Sequence, residues 1–182
     1  MNPKTHTTAL VLIPPEDLWQ PIQALRKQHD RNVRRWMPHI TLLYPFAPPA
    51  AFADLVPGLG AACTNATPFT ITLTHFGAFA HGQRGATIFL VPEPAEPLVA
   101  LQTRLWEVVP AYDDTRRHRN GFTPHLSVGQ TRGGAEARAL VETLSAQWQP
   151  LTFTASAVQL IWRSKPPDDT FRVAHSLLVG AA

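Results

Sequence analysis

The chain has 182 residues, enough for one domain or for two small lobes sharing a core. Hydrophobic residues make up 45% and charged residues 16%, with a net charge of +3 and a pI near 9.5, so the composition excludes a disordered chain. No apolar run approaches the roughly 20 residues of a membrane helix. The lone cysteine, Cys63, excludes an internal disulfide and a cysteine-based zinc site. The apolar stretch 9–13 is too short for a signal-peptide core and runs straight into Pro14-Pro15. A soluble protein in a reducing, cytoplasmic setting is expected.

Residues 7–13 read as a buried strand, and Pro14-Pro15-Glu16-Asp17 as the start of a helix that carries Leu18, Ile22 and Leu25 on one face to about His29. A strand is predicted over 38–44, ended by Pro45. An alanine-rich helix follows over 49–62, with Phe52, Leu55, Val56 and Leu59 as its buried stripe. Residues 69–76 alternate strictly and read as a strand. The order then repeats: strand 87–91, a helix after Pro92-Glu93-Pro94 with Leu98, Leu101 and Leu105 on one face, and strand 124–129. A helix over 134–148, one long strand over 151–162 and a last strand over 170–179 complete the chain. Both halves, about 1–80 and 85–182, read β-α-β-α-β, which predicts an internal duplication within a single domain.

The duplication carries a motif. Pro38-His39-Ile40-Thr41-Leu42 matches Pro124-His125-Leu126-Ser127-Val128, with 86 residues between the histidines. At this composition, about 0.8 Pro-His pairs arise by chance, but only about 0.02 copies of the full Pro, His, apolar, hydroxyl, apolar pattern. On a strand, residues two apart share a face, so His39 lies beside Thr41 and His125 beside Ser127, while Ile40, Leu42, Leu126 and Val128 point the other way. Each half therefore presents one imidazole next to one hydroxyl, and halves facing each other across a pseudo-two-fold axis bring both pairs to one cleft.

These residues resemble the 2H phosphoesterase superfamily, defined by two His-x-Thr/Ser motifs, and within it the 2′-5′ RNA ligase (LigT-like) branch. The likeness runs through nearly the whole element order. It implies a bilobal α+β fold with two antiparallel sheets lining a central groove and helices outside. It also implies metal-independent chemistry, without a cofactor, on 2′,3′-cyclic phosphates or 2′-5′ phosphodiester links. By motif, His39 and His125 would be catalytic, and Thr41 and Ser127 would bind phosphate. Ser127 stands where many members carry Thr, and the hydroxyl is kept.

The same chemistry follows from the residues. Opening a cyclic phosphate needs a base for the water proton and an acid for the leaving ribose oxygen. Two histidines near their ordinary pKa supply both, and fixed hydroxyls stabilise charge on the phosphate oxygens. Run backwards, the reaction joins a cyclic end to a 5′-hydroxyl without ATP. Either histidine fits either role by pseudo-symmetry. No acid or histidine stands two or four residues beyond either motif histidine, which disfavours a metal site. Ser127 lacks a nucleophile-elbow setting, Cys63 reads as packing, and no Walker-type glycine loop is present. His6, His29, His75, His81, His118 and His175 lack the motif and read as structural.

Half of the 16 basic residues crowd into two segments upstream of the motifs: Arg26, Lys27, Arg31, Arg34 and Arg35, then Arg116, Arg117 and Arg119. Candidate phosphate contacts are Arg34, Arg35, Arg84, Arg117, Arg119 and Arg132. Trp36 and Phe122, each three residues before a motif histidine, are candidates for stacking on a base, and Tyr44 for bordering the groove. The expected partner is RNA with a 2′,3′-cyclic phosphate end, or a small cyclic or 2′-5′-linked nucleotide, bound by a monomer that requires no metal and touches no membrane. The rival reading is a module that binds RNA ends without turnover.

Overall fold

In the computed structural model, residues 3–82, 85–117 and 121–180 are described. Strand β1 (Thr8–Leu12) is buried along its whole length: residues 9–12 are an apolar run, and the buried Thr8 hydroxyl donates to the Ala47 carbonyl (2.8 Å). A short 3-10 turn, Glu16–Leu18, leads into α1 (Trp19–His29). Next come β2 (Ile40–Leu43), α2 (Phe52–Thr64) and β3 (Phe69–Ala80). The second half runs β4 (Ala86–Glu93), α3 (Glu96–Val108), β5 (Leu126–Thr131) and α4 (Gly134–Ser145). It ends with β6 (Leu151–Ala155), β7 (Ala157–Trp162) and β8 (Arg172–Leu178).

Two four-stranded antiparallel sheets result, ordered β2-β1-β7-β8 and β5-β4-β3-β6. The α+β class with two antiparallel sheets is as expected. The sheets do not coincide with the two halves of the chain, however. The expected boundary between 80 and 85 falls at the β3–β4 hairpin, inside the second sheet. Each half contributes a β-α-β pair to one sheet and sends a later strand to the other: β3 of the first half pairs with β4, and in the second half β6 stays beside β3 while β7, with β8 next to it, crosses to pair with β1.

That crossing corrects the single strand expected over 151–162. Leu151–Leu73 and Ala155–Phe69 pairings tie β6 to β3, whereas β7 pairs with β1 and β8. The break at Ser156 was written in the alternation. Phe153 and Ala155 are buried at odd positions, Val158 and Leu160 at even ones, so the apolar phase slips by one residue. A one-residue slip turns every side chain to the other face. The helix expected to reach 148 stops at Ser145, and Trp148 turns back to donate from Nε1 to the Leu73 carbonyl (2.9 Å).

One large core cluster includes Leu10, Leu12, Ile22, Ile40, Leu42, Ile88, Leu126 and Val128. A smaller cluster occupies the other face of β1: Ala9, Val11, Ile161 and Phe171, with Trp36, Met37 and Tyr44 against it. Helix α1 packs onto β5, joining the first sheet's helix to the second sheet's outer strand. Gly129 permits that contact, because a Cβ there would stand 2.7 Å from the His29 Cβ. Beneath it, buried Arg26 and Asp30 form an ion pair (2.9 Å), and Gln130 of β5 donates to the same carboxylate (3.0 Å). No helix among the described residues is long and apolar enough to cross a membrane.

Candidate active site

The two motif strands are outer strands of different sheets, and β2 and β5 approach each other. This brings the two copies of the motif together. Each ladder begins one residue after the histidine, at Ile40 opposite Leu12 and at Leu126 opposite Leu90, slightly later than the predicted spans. Proline has no N–H for a ladder, so Pro38 and Pro124 close the strands off. Alternation still holds: Pro38, Ile40, Leu42, Pro124, Leu126 and Val128 are buried, while His39, Thr41, His125 and Ser127 are partly exposed.

Both histidines are anchored alike. His39 Nδ1–H donates to the Met37 carbonyl (2.7 Å), and His125 Nδ1–H to the Thr123 carbonyl (2.9 Å). A carbonyl accepts only, so each neutral ring carries its proton on Nδ1 and its basic lone pair on Nε2. A cavity of about 670 Å³ lies between the sheets. Thr41, His125 and Ser127 line it together with the aromatic rings of Tyr44, Phe79 and Phe122.

The aromatic surroundings of the two histidines differ. Trp36 stacks on His39 (4.6 Å, 16°) and also on Phe171 (3.8 Å, 29°). His125 meets Phe79 and Phe89 at steep angles, 87° and 63°. Packing around His39 strips water from its charged form and lowers its pKa to about 4. The Met37 carbonyl opposes that shift, the charges of Arg26 and His125 add to it, and Asp30 opposes it.

Of the expected substrate contacts, Tyr44 and Phe122 line the cavity. Burial raises the Tyr44 phenol, against the pull of Arg163 and Arg35. Trp36 is not among the lining residues; its ring is taken up by His39 and Phe171. Arg34 and Arg35 do not reach into the cavity either: both grip buried Asp169 (2.8 Å each), holding its carboxyl below the usual range. Arg117 pairs with Asp113 (2.8 Å). Arg132 stands past the end of β5, where its backbone N–H donates to Glu136 (2.9 Å), and is not among the lining residues. Arg84, Arg119 and His118 lie outside the described residues. Cys63 is buried in α2, and burial pushes its thiol up to about 11.

The sequence reading missed Phe79, His81, Thr87, Asp114 and Thr115, all of which line the cavity. His81, expected to be structural, shares a hydrogen bond with Thr87 (2.9 Å) at the cavity wall. Following the β3 alternation beyond residue 76 would have placed Phe79 and His81 on one side of the strand. Thr115, which donates to the Leu42 carbonyl of β2 (3.1 Å), leaves no such signal, because it sits in a short 3-10 turn, Asp114–Arg116, too short to show a periodicity. Among the described residues, no three His, Cys, Asp or Glu side chains gather as a metal-binding group would.

The sequence profile of the 2′-5′ RNA ligase superfamily matches residues 14–167, spanning both motifs. The chain belongs to the 2′-5′ RNA ligase superfamily. It is 31% identical to a Bacillus pumilus protein named "Putative phosphoesterase", over 74% of this chain and 76% of that one. A Geobacillus kaustophilus relative of the same description is 25% identical over 94% and 95%. Among solved structures, TT0787 of Thermus thermophilus superposes with a TM-score of 0.67 at 16% identity, covering 96% of this chain and 98% of that one. E. coli LigT complexed with phosphate gives 0.64 at 13% identity, covering 98% and 99%. At such identities these two establish the fold, which is that of LigT.

Proposed function

We propose that this member of the 2′-5′ RNA ligase superfamily is a metal-independent phosphodiesterase that opens RNA 2′,3′-cyclic phosphate ends, with ATP-independent 2′-5′ ligation as the reverse reaction. The observation that carries this reading is the pair of motif histidines, each held through Nδ1 by a carbonyl two residues upstream and each followed by a hydroxyl lining the same cavity. The cavity falls within the roughly 300–1,000 Å³ of small-ligand sites, enough for a terminal nucleotide, and its aromatic walls suit a base. E. coli LigT has been solved with 3′-AMP, a ligand of that size and chemistry.

The burial of His39 bears on how the two histidines divide the work. His39 is neutral at neutral pH, which favours it as the base, with His125 as the acid. In hydrolysis His39 Nε2 takes a proton from water as the oxygen attacks phosphorus. The bond from phosphorus to one ribose oxygen breaks, and that oxygen receives a proton from His125. Thr41 and Ser127 donate to the non-bridging oxygens, where charge grows in the transition state. The product keeps the phosphate on the other ribose oxygen, and solvent resets both rings. The bound phosphate's negative charge raises the basicity of His39 toward the range where a base works well.

The test is hydrolysis of an oligoribonucleotide with a 2′,3′-cyclic phosphate end in excess EDTA, beside His39→Ala, His125→Ala and a 2′,3′-cyclic mononucleotide. Opening of the end by the wild type and a loss of at least about 100-fold in each variant is expected. An active His39→Ala or His125→Ala enzyme would overturn the two-histidine mechanism. Turnover of the mononucleotide alone would move the substrate to a small nucleotide, and tight binding without turnover would make the protein a reader of RNA ends.

A further inference from the structure

The segment that carries Trp36 and His39 is clamped from the far end of the chain. Asp169 is 1% exposed, and its two carboxylate oxygens are taken by Arg34 Nη2 and Arg35 Nε, both at 2.8 Å. Two residues on, the Phe171 N–H donates to the Arg35 carbonyl (2.8 Å), and the Phe171 ring, itself buried, stacks on Trp36. The Arg163 guanidinium sits over Phe171 (5.4 Å), and Tyr44 meets Trp36 edge-on (5.5 Å). The imidazole of His39 lies nearly parallel to the indole it touches, while its Nδ1 is tied to Met37. A ring tied at one atom can still swing about that atom, whereas a ring also stacked against a fixed plane cannot.

We propose that Trp36 is a positioning residue, backed by Phe171 and the Asp169 clamp, which fixes the plane of the His39 imidazole and keeps water from its face. The proposal rests on the reading of His39 as a base, but it also makes a claim about the free protein. It explains the two arginines as well: Arg34 and Arg35, which looked like phosphate ligands, fasten the clamp. The charged and titratable groups acting on His39 are Arg26 of α1, Asp30 just past the end of α1 and His125 just before β5, and none belongs to the clamp. Altering the clamp therefore changes the solvation and orientation of His39 while leaving its charged neighbours in place.

The experiment compares Trp36→Leu, Trp36→Phe and Phe171→Leu with the wild type, using two readouts. The first is an NMR titration of the His39 ring in the free protein, which needs no turnover. The second is the split of kcat and KM on the cyclic-ended oligonucleotide across pH. In Trp36→Leu, the His39 titration should move up from about 4 toward the ordinary histidine range as water reaches the ring. Its kcat should fall by about 10- to 100-fold with KM nearly constant, the expected penalty for a misaligned base. Phe171→Leu should shift both readouts in the same direction by less, and Trp36→Phe should restore most of both. Phe171→Leu also serves if Trp36→Leu does not fold. An unmoved His39 titration in a folded Trp36→Leu or Phe171→Leu protein would overturn the proposal. So would a rise in KM at constant kcat, which would make Trp36 a substrate platform. A shifted titration in a protein without cyclic phosphodiesterase activity would keep the positioning role and remove the proposed function.

Discussion

Replacing Asp30 with Asn tests whether the two lobes are joined by a buried charge. Arg26 is 2% exposed and Asp30 6%. Arg26 reaches one carboxylate oxygen through Nε and Nη2, both at 2.9 Å. The other oxygen accepts from the Asn32 N–H (2.8 Å) and from Gln130 Nε2 (3.0 Å). Burial lowers the Arg26 pKa, and the Asp30 charge opposes the shift. Asparagine keeps the shape but leaves a guanidinium buried without its counter-charge, a loss of about 3–5 kcal/mol for pairs broken in this way. For a chain of this length each kcal/mol moves Tm by about 2–4 °C, so a fall on the order of 10 °C is expected. The control is Asp168→Asn. It breaks a pair whose members are 49% and 59% exposed, worth at most about 1 kcal/mol. Urea and thermal unfolding at neutral pH measure both. Equal losses in the two variants would refute the assignment of Arg26–Asp30–Gln130 as a buried joint between α1 and β5.

Two further outcomes follow from the packing. Because the folded pKa of His39, about 4, lies below the unfolded value near 6.5, the unfolded chain binds more protons between those pH values. Stability should therefore fall as the pH drops from about 6.5 to 4, by at most about 1.4 kcal/mol per pH unit from this group. A His39→Gln variant should lose that portion of the slope in pH-dependent urea unfolding, and an unchanged slope would show His39 to be ordinarily solvated. Gly129→Ala should destabilise by about 1–3 kcal/mol, since its Cβ would press on His29 of α1 at 2.7 Å. A neutral Gly129→Ala in urea unfolding would mean that α1 can shift away from β5 freely.

The local pattern of the chain determined the parts that depend on near neighbours. The alternation around Pro38–Leu42 and Pro124–Val128 named the partly exposed imidazole and hydroxyl of each motif, and the matching copies marked the two segments out as a pair. Apolar spacing placed the four helices and most strands within a few residues. The parity slip between Ala155 and Val158 held the strand break as well, though it is easily read through. Tertiary structure alone decided what the elements meet. Strand exchange between the halves joins residues far apart along the chain, and nothing local records that β3 leaves the half that contains it for the second sheet. The roles of arginine and tryptophan were hidden for the same reason. A guanidinium three residues from a motif looks like a phosphate ligand until Asp169, more than 130 residues away, is seen between Arg34 and Arg35. An indole looks like a platform for a base until Phe171 and His39 are found stacked on it. The type and spacing of side chains set the chemistry that is available, and which partner each one satisfies is settled only when long-range packing brings the candidates together.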